Sequence, residues 1–155
     1  SRLYPKGDDL LVVVKILTDF VFTCSSQAVA AQLPAPSYVY QYNHIDSFGR
    51  AIFGRFHLKQ CEERACHMAE IPLVFGNHGP AELNVSFTAA EQAIGQRLIA
   101  AFTAVARGGV PGRGWSPFNA TARHGLVVNE TAVAGPLGVA GAVCADIWDR
   151  AGYLH

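Results

Sequence analysis

Residues 37–43, which read SYVYQYN, are the segment that most restricts the fold of this chain. Aromatic and β-branched residues dominate the segment, and this composition favours an extended strand. A strand leaves its backbone donors and acceptors unpaired unless neighbouring strands bind them. The only other segment with strand character is residues 126–128 (LVV). Two arrangements stay open: a helical bundle with a β appendage, or a sheet completed by polypeptide outside this chain, which we favour.

Helical patterns account for most of the other segments. Residues 8–22 place apolar side chains at helical spacing after two aspartates, which favour a helix N-terminus. A short helix is expected through residues 25–33, and a final helix through residues 137–150, ending at Gly152. Residues 44–65 show no clean period, so we predict that they form a loop region.

The clearest helix signal begins at Thr88. Thr88 and Glu91 have the capping-box spacing, in which a hydroxyl and a carboxylate bind the unpaired backbone amides of the first turn. The apolar stripe of this helix, which we interpret as core packing, consists of Ile94, Leu98, Phe102 and Val105. The pair Gly108-Gly109 and then Pro111 predict where the helix ends.

Composition excludes several classes of protein. Half of the 155 residues are hydrophobic, which is enough apolar material for a folded core. Twelve basic residues balance twelve acidic ones, so the formal charge is zero, and a nucleic-acid or anionic-membrane partner is not expected. The longest apolar run, residues 10–14, is far too short to span a bilayer.

Four cysteines indicate the compartment, and three glycosylation sequons decide nothing by themselves. The cysteines are Cys24, Cys61, Cys66 and Cys144, and two disulfides among them have three possible pairings. The sequons make Asn84, Asn119 and Asn129 possible glycosylation sites. Because persistent disulfides need an oxidising environment, we expect a secreted or periplasmic protein.

Residues 66–77, which read CHMAEIPLVFGN, are the most informative motif. They resemble the His-Gly-x-Glu-[Leu/Ile]-Pro-[Tyr/Phe]-Val-Phe-Gly segment of type-B carboxylesterases and cholinesterases, the family that includes para-nitrobenzyl-esterase-like enzymes. The resemblance continues in the same order along the chain. It includes residues 39–42 before the motif, and residues 102–111, 115–118 and 144–148 after it.

The resemblance implies a fold class and a site. The fold would be α/β: the C-terminal part of an α/β-hydrolase domain over residues 1–155, with helices and one or two sheet strands, incomplete without an N-terminal part. His67 would be the catalytic base, and Glu70 would support its loop. The implied disulfides are Cys61–Cys66 and Cys24–Cys144. No cofactor and no metal are expected, and the substrate would be a small-molecule ester.

The chain also departs from the family pattern. Met68 stands where the family usually has Gly, and Phe102 replaces a Trp. The chain contains no Gly-x-Ser-x-Gly elbow, which in α/β-hydrolases carries the nucleophile. We therefore expect the serine and the triad acid to come from the remainder of the same esterase polypeptide, and this chain alone to be inactive.

Two other functions stay open. Some relatives with this fold are catalytically inactive binding or adhesion proteins, and the missing elbow would distinguish them. A small zinc- or disulfide-stapled binding module is the second alternative, because His57, Cys61, Cys66 and His67 are four possible zinc ligands close together in sequence. Their spacing matches no common structural zinc signature, and the resemblance implies a disulfide between Cys61 and Cys66 instead.

Overall fold

The computed structural model describes residue 4 and residues 9–78, 85–112 and 114–153. Its regular elements, in chain order, are α1 (Asp9–Thr18), α2 (Cys24–Gln32), β1 (Tyr40–Tyr42), α3 (Gly49–Phe53), α4 (Ile71–Phe75), α5 (Ala89–Ala106), β2 (His124–Val128), β3 (Ala132–Pro136) and α6 (Gly138–Val143). Wider π-helical turns, Asp19–Thr23 and Cys144–Tyr153, continue α1 and α6. Two 3₁₀ turns, Gly54–Phe56 and Lys59–Glu62, follow α3.

The three strands form one sheet in the order β1-β2-β3. The amide of Leu126 donates to the carbonyl of Val39 at 3.0 Å, and the amide of Asn43 donates to the carbonyl of Val128 at 2.7 Å. Both strands advance in the same direction between these bonds, so β1 and β2 are parallel. Three residues connect β2 to β3, a length that only an antiparallel hairpin allows.

The chain divides into two compact units. The first contains residues 1–41, 114–126 and 134–155. Its core includes the disulfide Cys24–Cys144, whose two residues are fully buried. The buried guanidinium of Arg123 donates to Oε1 of Gln27 at 2.8 Å and forms an ion pair with Asp149.

The second unit contains residues 42–113 and 127–133. Here α4 packs on α5, and their contact is very close at Gly95. A Cβ atom at Gly95 would lie 2.9 Å from the carbonyl oxygen of Leu73, so glycine is required for this approach. The side chains of Leu73, Ile94 and Leu98 are almost completely buried.

Helix α5 begins as the capping box predicts. The Thr88 hydroxyl accepts from the Glu91 amide at 3.2 Å, and Oε2 of Glu91 accepts from the Thr88 amide at 2.7 Å. The predicted apolar stripe is only partly correct. Val105 is exposed at the end of the helix, whereas Ala101 is buried.

Two predictions about secondary structure were wrong. Residues 44–65 contain α3 and two 3₁₀ turns, elements of three to five residues that are too short to show a period. Strand β3 was missed because its sequence, AVAGP, has little strand character; pairing with β2 holds it extended. β1 thus has β2 as a partner within this chain. No helix in the described part of the chain is long and apolar enough to cross a membrane.

Candidate functional site

His67 lies on a short turn that is anchored on both sides. Before it, the disulfide Cys61–Cys66 closes a small ring of backbone. After it, Ala69 is buried against Phe53 and Cys61 in a small apolar cluster. His67 itself is exposed to solvent. The imidazole is therefore presented at the surface by a backbone that is fixed through its neighbours.

Met68 has a left-handed backbone conformation, with φ of 70°. Residues other than glycine rarely adopt this conformation because their Cβ atom comes too close to the backbone. The resemblance places Gly at this position, and the structure gives the physical reason. The departure at Met68 thus leaves the turn intact but adds strain beside His67.

The turn leads directly into α4. Glu70 is half-buried and precedes the helix, Pro72 stands in its first turn, and Gly76 ends it with φ of 59°. The buried side chain of Leu73 holds α4 against α5. The residues of the sequence motif are therefore also continuous in the structure. The disulfide ring leads into the His67 turn, the turn leads into α4, and Gly76 ends that helix.

Both predicted disulfides are present, Cys24–Cys144 and Cys61–Cys66. The described residues include no free cysteine. The alternative in which His57, Cys61, Cys66 and His67 bind zinc is therefore wrong for this structure. Both sulfurs are consumed by their bond to each other and are not thiolate ligands.

A polar cluster lies in the same unit as His67; its His44, Asp46 and Glu91 are buried, whereas Tyr42 is half-buried and Ser47 is exposed. It consists of Tyr42, His44, Asp46, Ser47 and Glu91. The Tyr42 hydroxyl donates to Oδ1 of Asp46. Nε2 of His44 is 3.6 Å from Oε1 of Glu91, which is within ion-pair distance but beyond a hydrogen bond.

The electrostatics of the cluster reflect its burial. Burial raises the pKa of Asp46 to about 6, and the charges of Glu91 and Glu70 contribute to the rise. Burial also raises the pKa of Tyr42, again with a contribution from Glu70. For Glu91, burial opposes ionisation, but hydrogen bonds from Thr88 and Ser47 outweigh it and lower the pKa. The charge of Glu70 therefore acts on the cluster, which links the His67 turn to it.

Sequence reasoning missed this cluster. It assigned Glu91 only to the helix cap and gave His44 no role. The capping-box spacing reports a contact between neighbours in sequence, but the contacts of Glu91 with Ser47 span 44 residues. No local pattern signals such a pairing.

Two of the three possible glycosylation sites are accessible. Asn119 and Asn129 are both exposed. Oδ1 of Asn119 accepts from the backbone amides of Thr121 and Ala122. Asn84 lies outside the described residues.

Comparison with known proteins adds family-level evidence. The family model described as "Carboxylesterase family" matches residues 10–137, which include the His67 turn. The "cAMP-regulated D2 protein" of Dictyostelium discoideum is 29% identical over 79 residues. This match covers 48% of the chain but only 14% of that relative, so the chain spans a small part of the relative's length.

Proposed function

Because this chain belongs to the carboxylesterase family, we propose that it is the C-terminal part of a serine-dependent carboxylic ester hydrolase, of the para-nitrobenzyl-esterase-like kind, in which His67 is the general base. The observation that carries the proposal is the position of His67. It is exposed on a turn whose flanking residues are fixed by the Cys61–Cys66 disulfide and by buried Ala69. A base that must meet a hydroxyl from another segment needs this combination of exposure and fixed backbone.

The chemistry proceeds by acyl transfer. Neutral His67 accepts the proton of the serine hydroxyl as the serine oxygen attacks the ester carbonyl, and the protonated ring then gives that proton to the departing alcohol. In the second half, His67 accepts a proton from water, which attacks the acyl-enzyme. The carboxylic acid leaves, and the proton returns to the serine oxygen. No metal and no organic cofactor take part in these steps.

Glu70 supports the base without being the triad acid. It lies three residues after His67, and its charge acts on buried Asp46 and Tyr42. It is the residue immediately before α4, where the His67 turn ends. The triad acid and the serine therefore come from the remainder of the same polypeptide, and this chain alone is inactive.

Exposed apolar side chains close to His67 in the sequence support the proposal that the remainder of the polypeptide packs against this chain. Met68 is 58% exposed and Phe75 is 74% exposed, and Ile71 and Phe56 are also exposed. A contiguous enzyme domain would cover such residues, since large apolar side chains favour burial. The proposed partner of this surface is the N-terminal part of the esterase.

The compartment follows from the disulfides. Two disulfides are compatible with an extracellular protein, because the reducing cytosol does not maintain them. We assign the enzyme to the secreted or periplasmic space and place glycans on the exposed Asn119 and Asn129 where the host performs N-glycosylation.

The test uses the complete protein that contains this chain. Hydrolysis of p-nitrophenyl acetate is measured for the wild type and for His67→Ala. Loss of the general base should lower kcat/KM by at least about 10²-fold. Circular dichroism of both proteins checks that the fold is retained. The control is His57→Asn, because His57 is exposed, lies in the same unit and has a left-handed backbone that Asn tolerates.

A second measurement separates the enzyme from an inactive relative. A fluorophosphonate should label one serine of the wild-type protein and label it far more slowly in His67→Ala. Equal hydrolysis by His67→Ala and wild type would refute the role of His67. A wild-type protein without a labelled serine would refute the hydrolase itself and favour a binding or adhesion protein.

A further inference from the structure

Three metal-ligating side chains converge inside the second unit. His44, Asp46 and Glu91 are all buried, and one potential ligand atom from each lies within 4.8 Å of the others. His44 follows β1, and Glu91 belongs to the first turn of α5, so the three come from two distant parts of the sequence. In a zinc site each ligand atom would lie roughly 2.0–2.2 Å from the ion, so the three side chains would have to approach a common centre.

The second observation concerns the imidazole. His44 is only 6% exposed, and neither of its ring nitrogens has a hydrogen-bond partner. Nearly all buried polar side-chain atoms in proteins have a partner, and an unsatisfied one carries a desolvation cost. The ring is not simply turned away from the cluster, because its Nε2 points toward Glu91 at 3.6 Å. An unpartnered nitrogen between two carboxylates is the environment of a ligand to a cation.

We propose that His44, Asp46 and Glu91 bind one divalent first-row metal ion, with Zn²⁺ as the reference ion. Imidazole nitrogen with two carboxylates is a ligand set that suits zinc and manganese more than calcium or magnesium. The ion stabilises the fold by joining the end of β1 to the start of α5. It takes no part in ester hydrolysis, and the site stands whether or not His67 is a catalytic base.

Charge balance supports the cation. Among the described residues, no lysine or arginine forms an ion pair with Asp46 or Glu91. In the described part of the chain, the one potential cationic partner of these two buried carboxylates is His44. A protonated imidazole carries a single charge, whereas a divalent ion neutralises both carboxylates.

The carboxylates are also held in place by other groups. The Tyr42 hydroxyl donates to Asp46, and the amide and hydroxyl of Ser47 donate to Glu91. Outer hydrogen bonds of this kind orient ligands and raise affinity in known metal sites. A carboxylate has lone pairs for both kinds of bond, so these donors do not compete with the ion.

The experiment measures metal binding by the complete protein. The protein is stripped with dipicolinate, mixed with one equivalent of Zn²⁺ and passed through a desalting column, and the zinc retained is measured by mass spectrometry. We expect one Zn²⁺ per chain and a higher Tm than in the stripped protein. Co²⁺ in place of Zn²⁺ should give visible absorption typical of bound nitrogen and oxygen ligands.

Two variants test the ligands separately. His44→Gln removes the imidazole, and Asp46→Asn removes a charge but keeps an acceptor for Tyr42, so at least the second should fold. Each should lower Zn²⁺ affinity more than about tenfold and abolish the rise in Tm. The control, His57→Asn, removes an exposed histidine of the same unit and should bind zinc like the wild type.

Two outcomes would overturn the site. The first is a stripped wild-type protein that retains no zinc and shows no change in Tm. The second is equal zinc binding by wild type, His44→Gln and Asp46→Asn, which would place the ion elsewhere.

Discussion

Glu91 binds Ser47 twice: the Ser47 amide donates to Oε1 at 2.6 Å, and the Ser47 hydroxyl donates to Oε2 at 2.9 Å. The same carboxylate also accepts from the Thr88 amide at 2.7 Å. One side chain therefore caps α5 and fastens the segment after β1 to that helix. A change in the position of the α5 N-terminus would therefore also move the segment that precedes α3.

Replacement of Ser47 by Ala should destabilise the complete protein by about 1–2 kcal/mol, because a hydroxyl bond to a buried carboxylate is lost while the carboxylate stays buried. Urea unfolding measures the change. Ser116→Ala is the control, since Ser116 is exposed and its removal should alter the free energy of unfolding by less than about 0.5 kcal/mol. Equal effects of the two substitutions would contradict the linkage.

Gly95→Ala should move α4 away from α5. The added methyl carbon would meet the Leu73 carbonyl oxygen at 2.9 Å, and this oxygen belongs to backbone that cannot rotate aside. We expect a loss of about 1–3 kcal/mol in stability and a fall in kcat/KM, because α4 follows the His67 turn. Gln96→Ala, an exposed neighbour on the same helix, should change neither quantity. A stable, fully active Gly95→Ala protein would show that the contact is not tight.

Met68→Gly should stabilise the protein slightly. The left-handed conformation at φ of 70° costs a side-chain-bearing residue about 1–2 kcal/mol, and glycine avoids this at a smaller entropic cost of about 0.5–1 kcal/mol. Met68→Val should have the opposite effect, since a β-branched residue tolerates this conformation least. Thermal unfolding compares the three proteins, and the order Gly, Met, Val in Tm is the expected result. The reverse order would mean that the backbone at residue 68 is not left-handed.

Removal of each disulfide should have a different cost. In the chain-entropy model, the ring closed by Cys61–Cys66 contributes about 2 kcal/mol and the loop closed by Cys24–Cys144 about 5 kcal/mol. Paired Cys→Ala variants measured by urea unfolding should show this order. A thiol assay of the denatured, unreduced protein should find none of these four cysteines reactive. Two reactive thiols would refute the pairing.

Stability of the metal-free protein should fall as pH rises from about 4 to 7. Burial raises the pKa of Asp46 from 3.8 to about 6, so the folded protein binds this proton more tightly than the unfolded chain does. The resulting stabilisation is fully present below pH 3.8 and is lost as the pH rises through about 6. Urea unfolding in chelator should show a decrease of about 2 kcal/mol that is missing in Asp46→Asn. Parallel profiles for the two proteins would contradict the raised pKa.

Local chemistry in the sequence predicted much of this fold. The capping box placed the start of α5 correctly, and the motif around residue 67 placed its turn beside a disulfide. What could not be predicted depends on distant contacts. The elements within residues 44–65 are too short to have a period, and β3 is extended only because β2 pairs with it.

The same distinction applies to the site. His67, Glu70 and the disulfide are close in sequence, so one motif contains them. His44 and Asp46 lie beside Glu91, which comes from another part of the chain. No local pattern in either segment predicts this contact. Met68 could be predicted only in part. The resemblance showed that a methionine is unusual at this position, but only the backbone angle explains why.

The spacing of the two disulfides has a consequence for biosynthesis. Cys24 leaves the ribosome long before Cys144, which follows 120 residues later, whereas Cys61 and Cys66 emerge almost together. If the protein is secreted as proposed, the Cys24 thiol would meet two incorrect partners before Cys144 emerges. Early closure of the small ring would remove both competitors, and the pair beside His67 would then favour correct oxidation of the long-range pair.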